Sequence, residues 1–159
     1  QFGAIAPHWN YQKKEFIQMA QNKEFLEYAE IFNEYYGTPK NFINEKISLG
    51  KDVLFDIDWQ GTRQLIAHDR ENVVTIFLLP PSMKELESRL IRRNQDSKED
   101  IENRLKKAYD EITHWNEYDY VLVNHEVEKT LGEIIFILHS ERAKRTRQLN
   151  LDKFVLSLQ

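Results

Sequence analysis

The order of elements along the chain predicts an α/β fold with a parallel core sheet. Three short apolar runs carry that expectation: Val53–Phe55, Val73–Leu79 and Tyr120–Val123. Around them lie stretches of helical period, giving strand, helix, strand, helix, helix, strand, helix. That alternation is the pattern of parallel strands joined by crossover helices. Runs that are apolar throughout, rather than at every second residue, read as strands buried on both faces.

The stretch that organises the rest is Lys51 to Gly61, Lys-Asp-Val-Leu-Phe-Asp-Ile-Asp-Trp-Gln-Gly. Gly50 before it is a turn signal, and the predicted strand runs from Lys51 to Asp58. It ends in two carboxylates, Asp56 and Asp58, flanking one isoleucine. Alternate strand side chains share a face, so both acids are expected to point the same way. They would stand at the strand's carboxyl end, where open α/β sheets collect ligands. Two like charges side by side are costly unless a cation or polar ligand fills the gap. A plainer reading makes Asp58 the N-cap of a helix starting at Trp59, and the two readings are compatible.

The bulk numbers narrow the classes. With 159 residues, 41% hydrophobic and 30% charged, the chain can bury a sizeable core as one globular domain with a small lobe. A net charge of −4 argues against a general nucleic-acid role. The absence of cysteine excludes disulfides and thiolate metal sites and fits a reducing cytosol. No apolar run approaches the ~20 residues of a membrane helix. Gln1–Pro7 has neither the basic flank nor the apolar core of a signal peptide. With no initiator Met, the chain is expected to begin mid-protein.

Taken in order, Gln1–Tyr11 shows no period and is expected to be irregular or an edge segment. Lys13–Asn22 places Phe16, Met19 and Ala20 at helical spacing. Phe25–Phe32 alternates large apolar and polar groups, a strand from which Glu27 projects. Asn33–Lys40 reads as turn chemistry, with Gly37 permitting an unusual backbone angle and Pro39 stiffening the exit. Asn41 is expected to cap a helix to Leu49, closed by Gly50 at C′. Gln60–His68 reads as a crossover helix. Pro80 and Pro81 stop the second strand, and Ser82 with Glu85 makes a capping box for a helix from Met83 to about Arg93. Asn94–Ser97 is a polar break, and Ser97 with Asp100 starts a helix with Ile101, Leu105, Ala108 and Ile112 on one stripe. Val127 to about Arg147 reads as a long helix, with Arg142, Lys144, Arg145 and Arg147 favouring its negative pole. Leu149–Gln159 is expected to dock through Phe154, Val155 and Leu158. The chain shows no internal repeat and no low-complexity linker.

Three constellations carry candidate chemistry. The first is Glu27 with Tyr36, Thr38 and the aspartate pair. A carboxylate is a double acceptor matched to the N–H donors on one edge of guanine, and adenine offers no such pair there. Mismatched buried polar groups give large discrimination. Tyr36 and Thr38 supply hydroxyls suited to phosphate or base oxygens. The plainer alternative leaves Glu27 on the solvent side and the tyrosines in the core. The second is Arg89, Arg92, Arg93 and Arg104 around the polar break. Arg89 and Arg93 share a helix face, and a short link would bring Arg104 to the same anionic point. Arginine forks bind phosphate oxygens and keep their charge, as phosphoryl transfer requires. The alternative is a solvated face paired with Glu85, Glu87 and Glu102. The third is Asn124 at the end of the last strand, either a partner for a base or a turn residue. The histidines (His8, His68, His114, His125, His139) show no metal spacing, and no Gly-x-Ser-x-Gly or Gly-x-Gly-x-x-Gly occurs.

Together these runs resemble guanylate kinases, which phosphorylate GMP with ATP. The matching stretches are Phe25-Leu-Glu-Tyr-Ala29, Tyr35-Tyr-Gly-Thr-Pro39, Asp52-Val-Leu-Phe-Asp-Ile-Asp-Trp-Gln-Gly61, Ile76-Phe-Leu-Leu-Pro-Pro-Ser82, Leu86-Glu-Ser-Arg-Leu90, Ile101-Glu-Asn-Arg-Leu105 and Tyr118-Asp-Tyr-Val-Leu-Val-Asn124. Each is weak alone; their order and spacing over about Phe16–Arg147 make the set strong. The resemblance implies a P-loop NTPase-type parallel-sheet core with a small GMP-binding lobe and a helical lid. The lobe would span residues 1–48, the core 49–83, the lid 84–112, and core with C-terminal helix 113–159. Glu27 would read the guanine edge, with Asp58 as a second acceptor. Tyr36 would bind the GMP phosphate, and Thr38 and Asn41 would line the pocket. Asp56 would organise Mg²⁺ through water. Arg89, Arg93 and Arg104 would close over the transferring phosphoryl group, and Asn124 would sit near adenine. The expected partners are GMP and ATP, not nucleic acid or membrane, in the cytoplasm. Family members often self-associate, but no interface is legible.

The departures set a rival. Family members begin with a P-loop, Gly-x-x-x-x-Gly-Lys-Ser/Thr, whose amides and lysine cradle ATP phosphates. This chain holds five glycines and no such motif. Two arginines that the family places on the GMP phosphate are also absent, and the family's tyrosine in the next segment falls near His8, with Trp9 and Tyr11 close by. The chain as written is therefore expected not to transfer phosphate by itself, the activity belonging to the parent protein. The rival is a non-catalytic guanylate-kinase-like interaction module that binds phosphopeptides.

Overall fold

A computed structural model describes residues 4–6, 9–31, 34–93 and 97–159. It divides into two units, residues 1–73 and 74–159. The fold is α/β with parallel strand pairs in both units, as the element order predicts.

In the first unit, β1 (Ala4–Ile5) pairs in parallel with β5 (Val53–Leu54). A second sheet is antiparallel, with β2 (Trp9–Tyr11), β4 (Glu34–Pro39) and β3 (Phe25–Ile31) in the order β2-β4-β3. The helices are α1 (Lys13–Gln21), α2 (Lys40–Ser48) and α3 (Trp59–Asp69). Tyr11, Phe16 and Phe25 form the core of this unit, with Met19, Ala20 and Tyr35 packed on it. The Phe25 ring centroid lies 5.1 Å from that of Tyr11 and 5.5 Å from that of Phe16, so large rings pack edge-on and tilted at the centre of this cluster.

Several expectations are corrected here. Of the two alternatives for Gln1–Tyr11, the edge segment holds and the irregular one does not: its described part carries two strands too short to show a period, and β2 is an edge of its sheet. The segment around Gly37 is not a turn but β4. Gly37 is needed because the Phe25 ring lies over it: a Cβ there would stand 2.7 Å from ring carbons. Asn41 caps nothing. The helix already begins at Lys40, its N-cap position is Pro39, and Asn41 is an exposed first-turn residue. Gly50 does close α2 in the left-handed conformation, with φ 70°. The strand predicted to reach Asp58 stops at Leu54, which is 62% exposed rather than buried.

In the second unit, β6 (Ile76–Leu79) and β7 (Tyr120–Val123) pair in parallel from Ile76↔Tyr120 to Leu79↔Val123. Their entrance is clamped: Thr75 N and Oγ1 donate to Asp119 Oδ2 at 2.9 and 3.0 Å, and Asp119 N donates to Thr75 Oγ1 at 2.9 Å. The second strand begins at Ile76 rather than Val73, with Thr75 O accepting from Tyr120 N at 3.0 Å beside that side-chain knot. The helices are α4 (Met83–Arg93), α5 (Lys98–Ile112), α6 (Val127–Ala143) and the short α7 (Leu151–Leu156). The capping box predicted for α5 forms, with Ser97 Oγ accepting from Asp100 N and Asp100 accepting from Ser97 N. At α4 only part of the box forms, since Glu85 N donates to Ser82 Oγ while the Glu85 carboxylate pairs with Arg89. The tail does not dock as expected: Phe154 is 60% and Leu158 69% exposed.

The long final helix ends at Ala143, short of Arg147, because Glu141 pulls the chain into a tighter turn. Its buried carboxylate accepts from Tyr120 Oη at 2.6 Å, faces Lys144 Nζ at 2.6 Å and faces Arg147 Nε at 3.3 Å. The Lys144 bond first, and then the Tyr120 bond, hold its carboxyl below the ordinary range. A carboxyl depressed in the folded state adds stability above its unfolded pKa and loses it as pH falls through the folded value. Glu141→Gln is therefore expected to unfold more easily in urea at pH 7, with the gap to the parent closing below about pH 4.3, the ordinary glutamate pKa. A gap that persists unchanged at pH 3 contradicts this account.

Candidate functional site

Glu27 is buried, at 0% exposure, and so is its cross-strand partner Thr38. Thr38 Oγ1 donates to Glu27 Oε1 at 2.5 Å. The solvent-facing reading of Glu27 is thus excluded. What turns the carboxylate inward is a β-bulge between Phe25 and Glu27. In an unbroken strand these two residues would share a face. Here Phe25 lies over Gly37 while Glu27 bonds Thr38, and adjacent residues of β4 face opposite ways. The extra residue puts the aromatic on the core side and the acid on the other, the re-aiming that bulges provide.

The other side is closed by α3. Asp58 is its N-cap, accepting from Gln60 N at 3.0 Å and Gly61 N at 3.2 Å. The capping reading of Asp58 is correct, and the residue is buried at 8% exposure. Asp56, two residues earlier, is exposed and lies beyond the strand. The two aspartates are therefore not paired by strand alternation. Instead Asp58 caps the turn that lies against Glu27: a Cβ built on Gly61 would stand 2.8 Å from Glu27 Oε2. One helical turn on, Gln64 accepts from Tyr28 N at 3.1 Å and donates to Tyr28 O at 2.7 Å, fastening α3 along β3. Tyr36 is half-buried on β4, on the strand face shared with Thr38. Asn41 is the second residue of α2, which follows directly on the same strand.

In the second unit, Arg89 is half-buried and tied to the end of β7. Its Nη1 donates to Asn124 O at 3.1 Å, its Nη2 to His125 O at 3.2 Å, and its Nε to Glu85 at 3.0 Å. The predicted pairing with Glu85 is thus real, and the guanidinium also marks the carboxyl end of a parallel strand. Asn124 is oriented in turn, its Oδ1 accepting from the buried Thr130 Oγ1 at 3.1 Å. Arg93 is exposed one turn along α4, and Arg104 is exposed on α5 four residues after Asp100. Helices α4 and α5 touch. Of the break between them, Asn94–Asp96 lie outside the described residues, as does His8. Among the described residues no group of three or more His, Cys, Asp or Glu is placed to hold a metal, and no helix is long and apolar enough to cross a membrane.

The guanylate kinase family model matches residues 8–141. The chain belongs to the guanylate kinase family. It is 48% identical to a guanylate kinase of Paramagnetospirillum magneticum over 145 residues, 91% of this chain and 68% of that protein. It is also 48% identical to a guanylate kinase of Bradyrhizobium diazoefficiens over 147 residues, 92% of this chain and 67% of that one. The crystal structure of guanylate kinase from Anaplasma phagocytophilum is similar at a TM-score of 0.77 and 37% identity, covering 92% of this chain and 71% of that chain. The chain thus spans about two thirds of the length of these guanylate kinase relatives.

Sequence reasoning missed three residues that hold the candidates in place: Gly61, Gln64 and Thr130. Only Gly61 carried a signal, a glycine inside a helical pattern, which often marks a close approach. The double duty of Asp58 can be separated. Asn is as good an N-cap as Asp, whereas Ala forfeits about 1 kcal/mol. Asp58→Asn is expected to keep the parent's unfolding free energy, and Asp58→Ala to lose roughly that amount in denaturant titrations. Equal losses in both variants would mean that the charge, not the cap, holds the turn.

Proposed function

We propose that this chain carries the nucleotide-selecting and phosphoryl-clamping parts of an ATP:GMP phosphotransferase, catalysing ATP + GMP → ADP + GDP. The observation that carries the reading is the buried Glu27 carboxylate, bonded to Thr38 and set against the first turn of α3 beside Asp58. A fixed, desolvated acceptor with a second acid nearby suits the ring N–H and amino donors of guanine, and leaves adenine's edge unmatched. In this reading Tyr36 binds the GMP phosphate, and Thr38 and Asn41 line the pocket. Residues 1–48 form the GMP lobe, 49–83 the core, 84–112 the lid, and 113–159 core and C-terminal helix. The names of the relatives favour the enzyme over a non-catalytic interaction module.

Phosphoryl transfer spreads negative charge over the transferring oxygens, and positioned cations stabilise it. Arg89, anchored on strand-end carbonyls, would offer its remaining donors from a fixed point, with Arg93 and Arg104 completing the clamp as the lid closes. Asn124, steadied by Thr130, would meet the adenine of ATP. Mg²⁺ usually keeps several waters and takes one or two carboxylates plus substrate phosphates. The exposed Asp56 fits such a hydrated ion, which would neutralise phosphate charge when bound. The cysteine-free sequence suits a cytoplasmic setting.

The test is coupled ADP release by the full-length protein with GMP, AMP, CMP and UMP. GMP should be preferred by orders of magnitude, and equal rates with AMP would reject the role of Glu27. Glu27→Gln should lower kcat/KM for GMP by at least tenfold, about 1.4 kcal/mol, with little change in Tm. Arg93→Ala and Arg104→Ala should lower kcat by more than they raise the KM for GMP.

A further inference from the structure

Gly61 is the third residue of α3, a place where a helix gains from almost any side chain other than glycine. It does not take a positive φ, so backbone freedom does not explain it. Space does. A Cβ at this position would stand 2.8 Å from Glu27 Oε2, 3.2 Å from Ile57 Cδ1 and 3.3 Å from Ile57 Cβ. The nearest of these atoms belongs to the buried carboxylate that the proposed function assigns to guanine. Nor can the helix draw back. Gln64, three residues on and on the same face, is bonded to both the N–H and the carbonyl of Tyr28, the residue next to Glu27. Leu65 and Thr62 are buried beside it. Glu27 cannot swing away easily either, because Thr38 holds its other oxygen within the sheet.

We infer that Gly61 is a positioning residue for guanine selection: the missing side chain is the space in which the Glu27 carboxylate is set, and Gln64 fixes the helix at the distance that makes this space. The inference rests on the reading of Glu27 as the guanine acceptor. A methyl group at 61 leaves the acid in place chemically but tilts it, so that its two oxygens no longer face the ring N–H and the 2-amino group together. The loss falls on ligands that use both donors.

The experiment is calorimetric titration of the full-length protein with GMP, with IMP, which lacks the 2-amino group, and with ATP. Gly61→Ala should weaken GMP about tenfold, weaken IMP less, and leave ATP unchanged. In a Glu27→Gln background the same substitution should change GMP affinity by less than about twofold, because a residue acting through a partner loses its effect once the partner is altered. Shortening the acid should restore part of the loss, so Gly61→Ala with Glu27→Asp should bind GMP better than Gly61→Ala alone. Losses that add in the two backgrounds, or equal losses for GMP and IMP, overturn the inference in favour of plain helix packing. If Glu27→Gln weakens GMP but Gly61→Ala does not, the inference fails alone. If Glu27→Gln leaves both nucleotides bound as before, the guanine reading fails and the inference with it. Should Gly61→Ala not fold, the double variant decides: regained folding supports direct crowding of the acid, and continued failure overturns it.

Discussion

A carboxylate taken wholly out of water is the constraint on which the first unit turns. Burying a charge is expensive unless hydrogen bonds and nearby dipoles replace the lost solvent. For Glu27 the surroundings supply several such terms. Thr38 donates a hydroxyl from the neighbouring strand. The first turn of α3 lies against the other oxygen, where the positive end of the helix dipole favours negative charge. The bulge at Leu26, the glycine at 61 and the Gln64 fastening are then parts of one arrangement. Each brings the acid closer to the helix than an ordinary strand and an ordinary helix would stand.

The second unit solves a different problem, holding cations ready without cancelling them. A guanidinium has five N–H donors in a rigid fork. Arg89 spends one on Glu85 and one each on two backbone carbonyls at the end of β7. Carbonyls orient the group while contributing only partial charge, so the net positive charge is reduced by one carboxylate alone. Arg93 and Arg104 remain exposed on α4 and α5, where a charge costs little to keep. One arginine is thus fixed by the fold and two stand at the surface of helices that touch.

The sequence revealed the main helices, the caps at Asp58, Ser97 and Gly50 and the strands β5, β6 and β7, because those signals are local: apolar period, a Ser or Asp before a helix, a Gly after it. It misread β4, because Tyr-Tyr-Gly-Thr-Pro has the composition of a turn. The reason for Gly37 is a ring twelve residues earlier, a tertiary cause that no local rule contains. The same limit hid the bulge. Strict alternation assigned Glu27 to a strand face, and only the pairing register with β4 shows which face. Asp56 and Asp58 were joined by strand alternation that does not exist there. Asp58 is placed instead by its helix cap, on the turn that lies against Glu27. Gln64 and Thr130 left no trace, since a polar residue on a helix says nothing about which backbone or side chain it will meet.

Asp58 shows why a helix cap and the role proposed for it at the site would not conflict. Its Oδ1 satisfies two amides that any helix start leaves open. Those bonds fix the side chain in one rotamer at no extra cost to the site, so the second oxygen, near Gln60 Nε2 at 3.4 Å, is held in a known place. The dipole favours each of the two acids there by only about 0.3–1 kcal/mol, too little to offset burial alone. Direct hydrogen bonds must supply the rest, and directional bonds tolerate little displacement. A site assembled in this way is stiff before any ligand arrives. On the proposed function, the same stiffness would let it reject a base whose donors sit elsewhere, because the acceptors could not shift to meet it.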